Sequence, residues 1–119
     1  MPVSETLARV YVDDIDTALP MFVDLTGEQP RPRVSHRGVE IVRVGNYLLL
    51  TGSEEALSVC RGTHATSITD SMDRALRITD LHGGEIVDGP AENPVGRSLT
   101  VRYPGGAIIE YVEIAQSET

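Results

Sequence analysis

Apolar and polar residues alternate over residues 7–13 (Leu-Ala-Arg-Val-Tyr-Val-Asp), which is the period of a strand. Ala8, Val10 and Val12 form an aliphatic side expected to pack on a helix. Leu7, Arg9 and Tyr11 form the other side, which suits either a cavity wall or a solvated surface. The period then changes. Ile15, Ala18, Leu19 and Phe22 stand at i, i+3, i+4 and i+7, one buried helical stripe. Asp14 or Asp16 can cap this helix and Gly27 can close it, while Pro20 lies near enough to its start to cost little backbone bonding. A linker with two prolines covers 29–32. Strands are expected over 33–36 and 38–44, joined by a tight turn at Arg37-Gly38. An apolar strand over 47–51 follows a Gly45-Asn46 hairpin turn.

The same order recurs. Residues 13–28 align with 70–85 without a gap at an offset of 57: Asp13 with Asp70, Asp16 with Asp73, Ala18 with Ala75, Leu19 with Leu76, Gly27 with Gly84 and Glu28 with Glu85. A period near half the chain length marks a duplicated small unit rather than a solenoid repeat. In the second copy a strand is expected over 63–69, then a helix with the stripe Met72, Ala75 and Leu76. A short strand follows over 85–88. Residues 89–95 read as a loop, because two prolines and a glycine do not suit a ladder. Strands over 98–103 and 107–113 flank a Pro104-Gly105-Gly106 turn. The polar segment 53–58 reads as a short helical turn, and 115–119 as a frayed tail. The chain is therefore one domain with module one at 6–52, a connector at 53–61, module two at 62–114 and a tail at 115–119. Val10, Val12, Leu19, Phe22, Leu76 and Ile109 are the expected core between sheet and helix.

Composition narrows the function classes. A chain of 119 residues suits a single core, and 40% apolar with 24% charged residues is an ordinary globular balance. No apolar run is long enough to span a bilayer, and the first residues lack the basic and apolar regions of a signal peptide. A cytoplasmic location without a membrane partner is expected. A net charge of −8 argues against nucleic acid, which needs a basic face. It fits either steering of a cationic small molecule or solubility alone. The single Cys60 cannot form an intramolecular disulfide. It is an inert small residue or, with His64 four positions on, an activated thiol.

Strand, helix and three strands, twice over, is the arrangement of a known family. Its most specific pieces here are Val-Asp-Asp-Ile-Asp-Thr-Ala-Leu at 12–19 and Arg-Tyr-Pro-Gly-Gly-Ala-Ile-Ile-Glu-Tyr-Val-Glu at 102–113. Together they resemble the glyoxalase / bleomycin-resistance / dioxygenase family, the vicinal-oxygen-chelate superfamily, over about residues 7–114. The second piece looks like the family ending Asp-Pro-Asp-Gly-Asn-x-Ile-Glu-Leu, with Tyr103 for the usual Asp and Gly105-Gly106 where Asp-Gly is common. The resemblance implies an α+β fold of two βαβββ modules, forming a cup of mixed sheets with the helices outside. It also implies a homodimer, since many members complete their pockets across a two-fold axis.

Metal-dependent members of the family hold a divalent metal in the cup from the first and last strands of each module. The offset of 57 and the match of Gly45 to Gly105 place those positions at Leu7, Leu50, His64 and Glu110. His64 and Glu110 are good ligands for Zn, Ni, Mn or Fe, but the leucines offer no lone pair. His36 on a turn and His82 at a helix end are not expected to reach the cup. Sliding the strand by one residue would instead put Thr63 at the ligand position and turn His64 away. His64 could also be a hydrogen-bonded histidine without a ligand, and Glu110 a carboxylate bonded to Arg9 or Arg102.

Two functions follow from the resemblance. The first is a metal-free small-molecule-binding protein that sequesters an antibiotic or related natural product. Leu7, Arg9, Tyr11, Tyr47, Leu50, His64 and Glu110 would line its cup. No cofactor is expected on this reading, and enzyme activity is not favoured. The second is a lyase, isomerase or dioxygenase that uses a divalent metal as Lewis acid, with Glu110 as ligand or base. The shortage of aromatics, with no Trp, one Phe and four Tyr, weighs against large flat drugs held by stacking.

Overall fold

The computed structural model describes residues 3–114, so the expected tail at 115–119 lies outside it. Eleven elements follow one another: β1 (Val3–Tyr11), α1 (Ile15–Thr26), β2 (Val34–His36), β3 (Val39–Val44), β4 (Tyr47–Gly52), α2 (Glu54–Ser58), β5 (Ala65–Thr69), α3 (Met72–Leu81), β6 (Glu85–Asn93), β7 (Gly96–Arg102) and β8 (Ile108–Ile114). The fold is α+β, built of two βαβββ modules with mixed sheets. The described chain forms two compact units. One holds residues 7–62, so the connector travels with the first module. The other holds 63–114 together with 3–6, the start of β1. No helix among the described residues is long and apolar enough to cross a membrane.

In the first unit the strand order is β2-β3-β4-β1. The first strand runs parallel to the last, with Ala8 opposite Tyr47 and Val10 opposite Leu49. One sheet face meets α1 in a core of Ile15, Phe22, Val42, Val44 and Leu49. Val10, Val12 and Leu19 sit at the margin of that core, only partly buried. Asp14, not Asp16, caps α1 and accepts from the Thr17 N–H. Gly27 closes it in the left-handed conformation (φ 71°) that costs glycine little.

The second unit repeats the plan as β5-β8-β7-β6, with β5 parallel to β8. Met72, Ala75, Leu99, Val101 and Tyr111 form its helix-side core, with Leu76 and Ile109 at the margin. Ser71 takes the capping role that Asp14 has 57 positions earlier. Two expectations change here. Helix α3 stops at Leu81, and Gly83 (φ 69°) makes the left-handed turn in place of Gly84. Gly84 instead permits close packing. A Cβ there would lie 2.7 Å from Val101 Cγ1 and 2.9 Å from Thr79 Cγ2, so only glycine allows this approach. Residues 89–95 are also not one loop, since β6 runs on to Asn93. As the last strand of its sheet, β6 has an edge that tolerates Pro90, and register shifts on either side of Asp88 absorb Gly89-Pro90.

Glu113 ties three elements of this unit together. Its carboxylate accepts from the Met72 N–H at 2.7 Å, at the start of α3, and from Arg97 on β7 at 2.8 and 3.0 Å. The Met72 bond first, and the Arg97 guanidinium second, hold the Glu113 carboxyl below its ordinary value. A depressed carboxylate stabilises the fold at pH above the unfolded value and loses that contribution as pH falls through the folded one. Glu113→Gln should therefore lower stability by about 1 kcal/mol at pH 7. The gap to the parent should shrink as pH falls below the ordinary carboxylate value of 4.5. Urea unfolding at pH 7 and at pH 3 measures both quantities, and a pH-independent gap would contradict the assignment.

Candidate functional site

The parallel pairings decide which side chains share a face. In the first unit Leu7, Arg9 and Tyr11 lie on the sheet face away from α1, because Val10 and Val12 pack toward the helix. Cross-strand partners extend that face in rows. Tyr11 stands by Leu50 and Leu50 by Ile41, while Arg9 stands by Leu48 and Leu48 by Arg43.

The end of this face that bears Leu50 is covered. Ser53 caps α2 by accepting from the Ala56 N–H, which aims Leu57 back onto the sheet. Leu57, Val39 and Leu50 form a buried cluster, with Tyr11, Ile41, Ala56 and Cys60 packed around it. The Tyr11 hydroxyl donates to the Cys60 carbonyl at 2.8 Å, and the Arg61 guanidinium lies 5.0 Å from the Tyr11 ring centroid. Leu50 is thus 2% exposed beneath the connector, as is Leu7 on β1. Tyr47 lies elsewhere. It is three residues from Leu50, so the strand alternation turns it to the helix side, where its ring meets Phe22 at a centroid distance of 5.1 Å. It does not share the face of Leu7, Arg9, Tyr11 and Leu50.

In the second unit the structure takes the register that needs no slip. Thr66 stands opposite Glu110 and Ile68 opposite Val112, while Ser67 and Thr69 fall on the helix side. Small polar residues serve there because the Thr69 hydroxyl bonds the backbone of Ser71 at the start of α3. Thr66, Glu110, Thr100 and Asp88 are successive cross-strand partners, so they form one polar row on the face away from α3. Thr66, 2% exposed, donates its hydroxyl to Glu110 Oε1 at 2.9 Å. Sequence reasoning missed Thr66. The offset of 57 maps it to Arg9, two residues past the Leu7 and His64 pair, so the repeat alone could have marked it.

His64 has the parity of Thr66, but its imidazole is already engaged. Nδ1 accepts from the Ile108 N–H at 3.0 Å, while the His64 N–H donates to the Ile108 carbonyl at 2.8 Å. With Nδ1 as acceptor, the neutral ring carries its proton on Nε2. Neither nitrogen then offers a lone pair without breaking the Ile108 bond. Of the four positions expected from the sequence to face a metal, Leu7 and Leu50 are buried leucines, one is this histidine and one is Glu110. The donor set does not fit a divalent metal. Among the described residues no three His, Cys, Asp or Glu side chains come together as a metal site requires.

On the helix side of the second unit the Tyr103 and Tyr111 hydroxyls lie 2.6 Å apart, and burial followed by that contact pushes the Tyr111 hydroxyl upward. This pair braces the core behind the polar row.

If the connector is an integral cover, Leu57→Ala should cost about 2–4 kcal/mol and loosen the segment over Cys60. Thermal unfolding and the rate of Cys60 labelling by a thiol reagent test this. Unchanged labelling with an unchanged melting temperature would show that α2 merely rests on the sheet.

No family model and no curated protein sequence matches the chain. Solved structures do. An uncharacterized protein from Methanosarcina mazei is 37% identical over 100% of this chain and 98% of its own, with a TM-score of 0.87. Methylmalonyl-CoA epimerase from Mycobacterium tuberculosis superposes with a TM-score of 0.72 at 20% identity, over 96% of this chain and 90% of its own. A Streptomyces coelicolor methylmalonyl-CoA epimerase in complex with 2-nitronate-propionyl-CoA gives a TM-score of 0.75 at 16% identity, over 100% and 99%. At those identities the epimerases speak for the fold alone. The chain belongs to the family of the Methanosarcina mazei protein and has the glyoxalase-like fold of the vicinal-oxygen-chelate superfamily.

Proposed function

We propose that the protein binds a small molecule without a resident metal and sequesters it, in the manner of the antibiotic-binding members of the superfamily. The observation that supports this reading is the state of the four positions expected from the sequence to face a metal. Leu7 and Leu50 are buried and donate nothing, the His64 Nδ1 is taken by Ile108, and Glu110 is held by Thr66. What remains on the two sheet faces is a mixture of apolar side chains and a few fixed polar groups, as in small-molecule sites generally. Arg9 and Tyr11 are held in place on the face of the first unit, and Thr66 with Glu110 on that of the second. The ligand class is an antibiotic or a related natural product, and the site of action is the cytoplasm.

The metal-dependent lyase, isomerase or dioxygenase is the competing reading, and metal content separates the two. Protein purified without chelator should contain far less than one equivalent of Zn, Ni, Mn or Fe. Addition of each metal should leave the melting temperature unchanged, because a ligand that binds only the folded state would raise it. One tightly held equivalent per chain, lost in Glu110→Gln, would overturn the metal-free reading.

We also propose a homodimer. Among the described residues, strands β2 and β6 each pair on one side only, and pairing of two copies covers exposed sheet edges. Light scattering at micromolar concentration should give about twice the 12.9 kDa of one chain. A single-chain mass that does not change on concentration would count against the dimer.

A further inference from the structure

We propose that the connector is a lid: residues 53–61 lift off the first unit as one segment while the sheet stays folded, and a ligand takes the place of Leu57. This rests on the small-molecule reading above and names the ligand's chemistry. Many of the connector's bonds are internal to it. Ser53 caps α2 through the Ala56 N–H, Ser58 Oγ donates to the Glu55 carbonyl, and the Cys60 and Arg61 N–H groups donate to the Leu57 carbonyl. Arg61 pairs with Glu54 at 3.2 Å, which ties the end of the connector back to its start. Its hold on the sheet is narrower. Leu57 is the buried residue of α2 and seats on Val39 and Leu50, with Ala56 and Cys60 at the margin. Tyr11 takes the Cys60 carbonyl on its hydroxyl and the Arg61 guanidinium over its ring.

The rest of the connector faces water, since Glu54, Glu55, Ser58, Val59 and Arg61 are exposed. Segments with little buried apolar surface open at a lower free energy than the core that they cover. The sheet beneath is held from its other face, by a core that α1, β3 and β4 supply. Detachment of the connector therefore leaves that core whole. It uncovers an apolar floor of Val39 and Leu50 beside the Tyr11 hydroxyl. Such a floor is unfavourable in water, so the closed form dominates until something else covers it. The ligand that does so matches what the floor accepts when closed. It brings an aliphatic or aromatic group in place of the Leu57 side chain and a carbonyl oxygen in place of that of Cys60. Arg9 Nε donates to the Tyr11 hydroxyl at 3.3 Å, which leaves the hydroxyl proton for that oxygen.

The test reads thiol labelling of the full chain in EDTA without ligand, in a Cys60→Ser background that removes the native thiol. Val39→Cys places a reporter under Leu57, and Val42→Cys places one in the helix-side core; both positions are buried. The thiol of Val39→Cys should react about 100-fold faster than that of Val42→Cys. Adding Ile15→Val, which weakens the helix-side core, should speed the Val42→Cys reaction by about 3–10-fold and leave the Val39→Cys reaction unchanged. Equal rates at the two positions, or an equal response to Ile15→Val, would show that the connector opens only when the whole unit unfolds, and overturn the inference. Leu57→Asp supplies a second reading, because a carboxylate cannot stay in that apolar seat. It should keep cooperative thermal unfolding and bind the apolar dye 8-anilinonaphthalene-1-sulfonate saturably and about tenfold more tightly than the parent chain. Loss of cooperative unfolding, or no gain in dye binding, also overturns it. The labelling needs neither ligand nor metal, so its failure is distinct from failure of the proposed function, which metal content decides.

Discussion

The parallel pairing of the first strand of each module with its last strand is the constraint on which the other features depend. Val10 opposite Leu49 and Ser67 opposite Tyr111 fix the phase of both central pairs. Side chains alternate along a strand, so that phase decides at once which residues meet the helix and which face away. A slip of one residue would send Arg9 and Glu110 into the helix-side cores and expel Val10 and Tyr111. The caps serve the same constraint. Asp14 and Ser71 start their helices at equivalent points of the repeat, so each helix lies across its sheet in the same phase.

With the helix faces fixed, the two modules diverge on the other face. The first module fills one end of it with its own connector, where Leu57 seals Leu50 and Val39, and leaves a row of arginine, leucine and arginine beside the seal. The second module carries a row of threonine, glutamate, threonine and aspartate on that face. At the positions expected from the sequence to face a metal, one module contributes buried leucines. The other contributes a histidine whose ring closes a backbone bond and a carboxylate held by a buried threonine. The duplication thus kept the scaffold while the chemistry on it changed.

The repeat at an offset of 57, the helical stripes and the hairpin turns at Arg37-Gly38 and Gly45-Asn46 determined the fold from the sequence alone, because each is a local pattern with one common structural solution. Tyr47 was misjudged from the sequence, although its parity against Leu50 was there to be read. Tertiary structure alone decided the rest. The fold of α2 onto Leu50 depends on contacts between residues far apart in the chain. The capture of the His64 Nδ1 by Ile108 depends on a ladder whose partners stand 44 positions apart. The persistence of β6 through Gly89-Pro90 depends on its place at the edge of a sheet, which no local pattern encodes. In each case the deciding partner was distant in sequence, and only the folded chain brought it near.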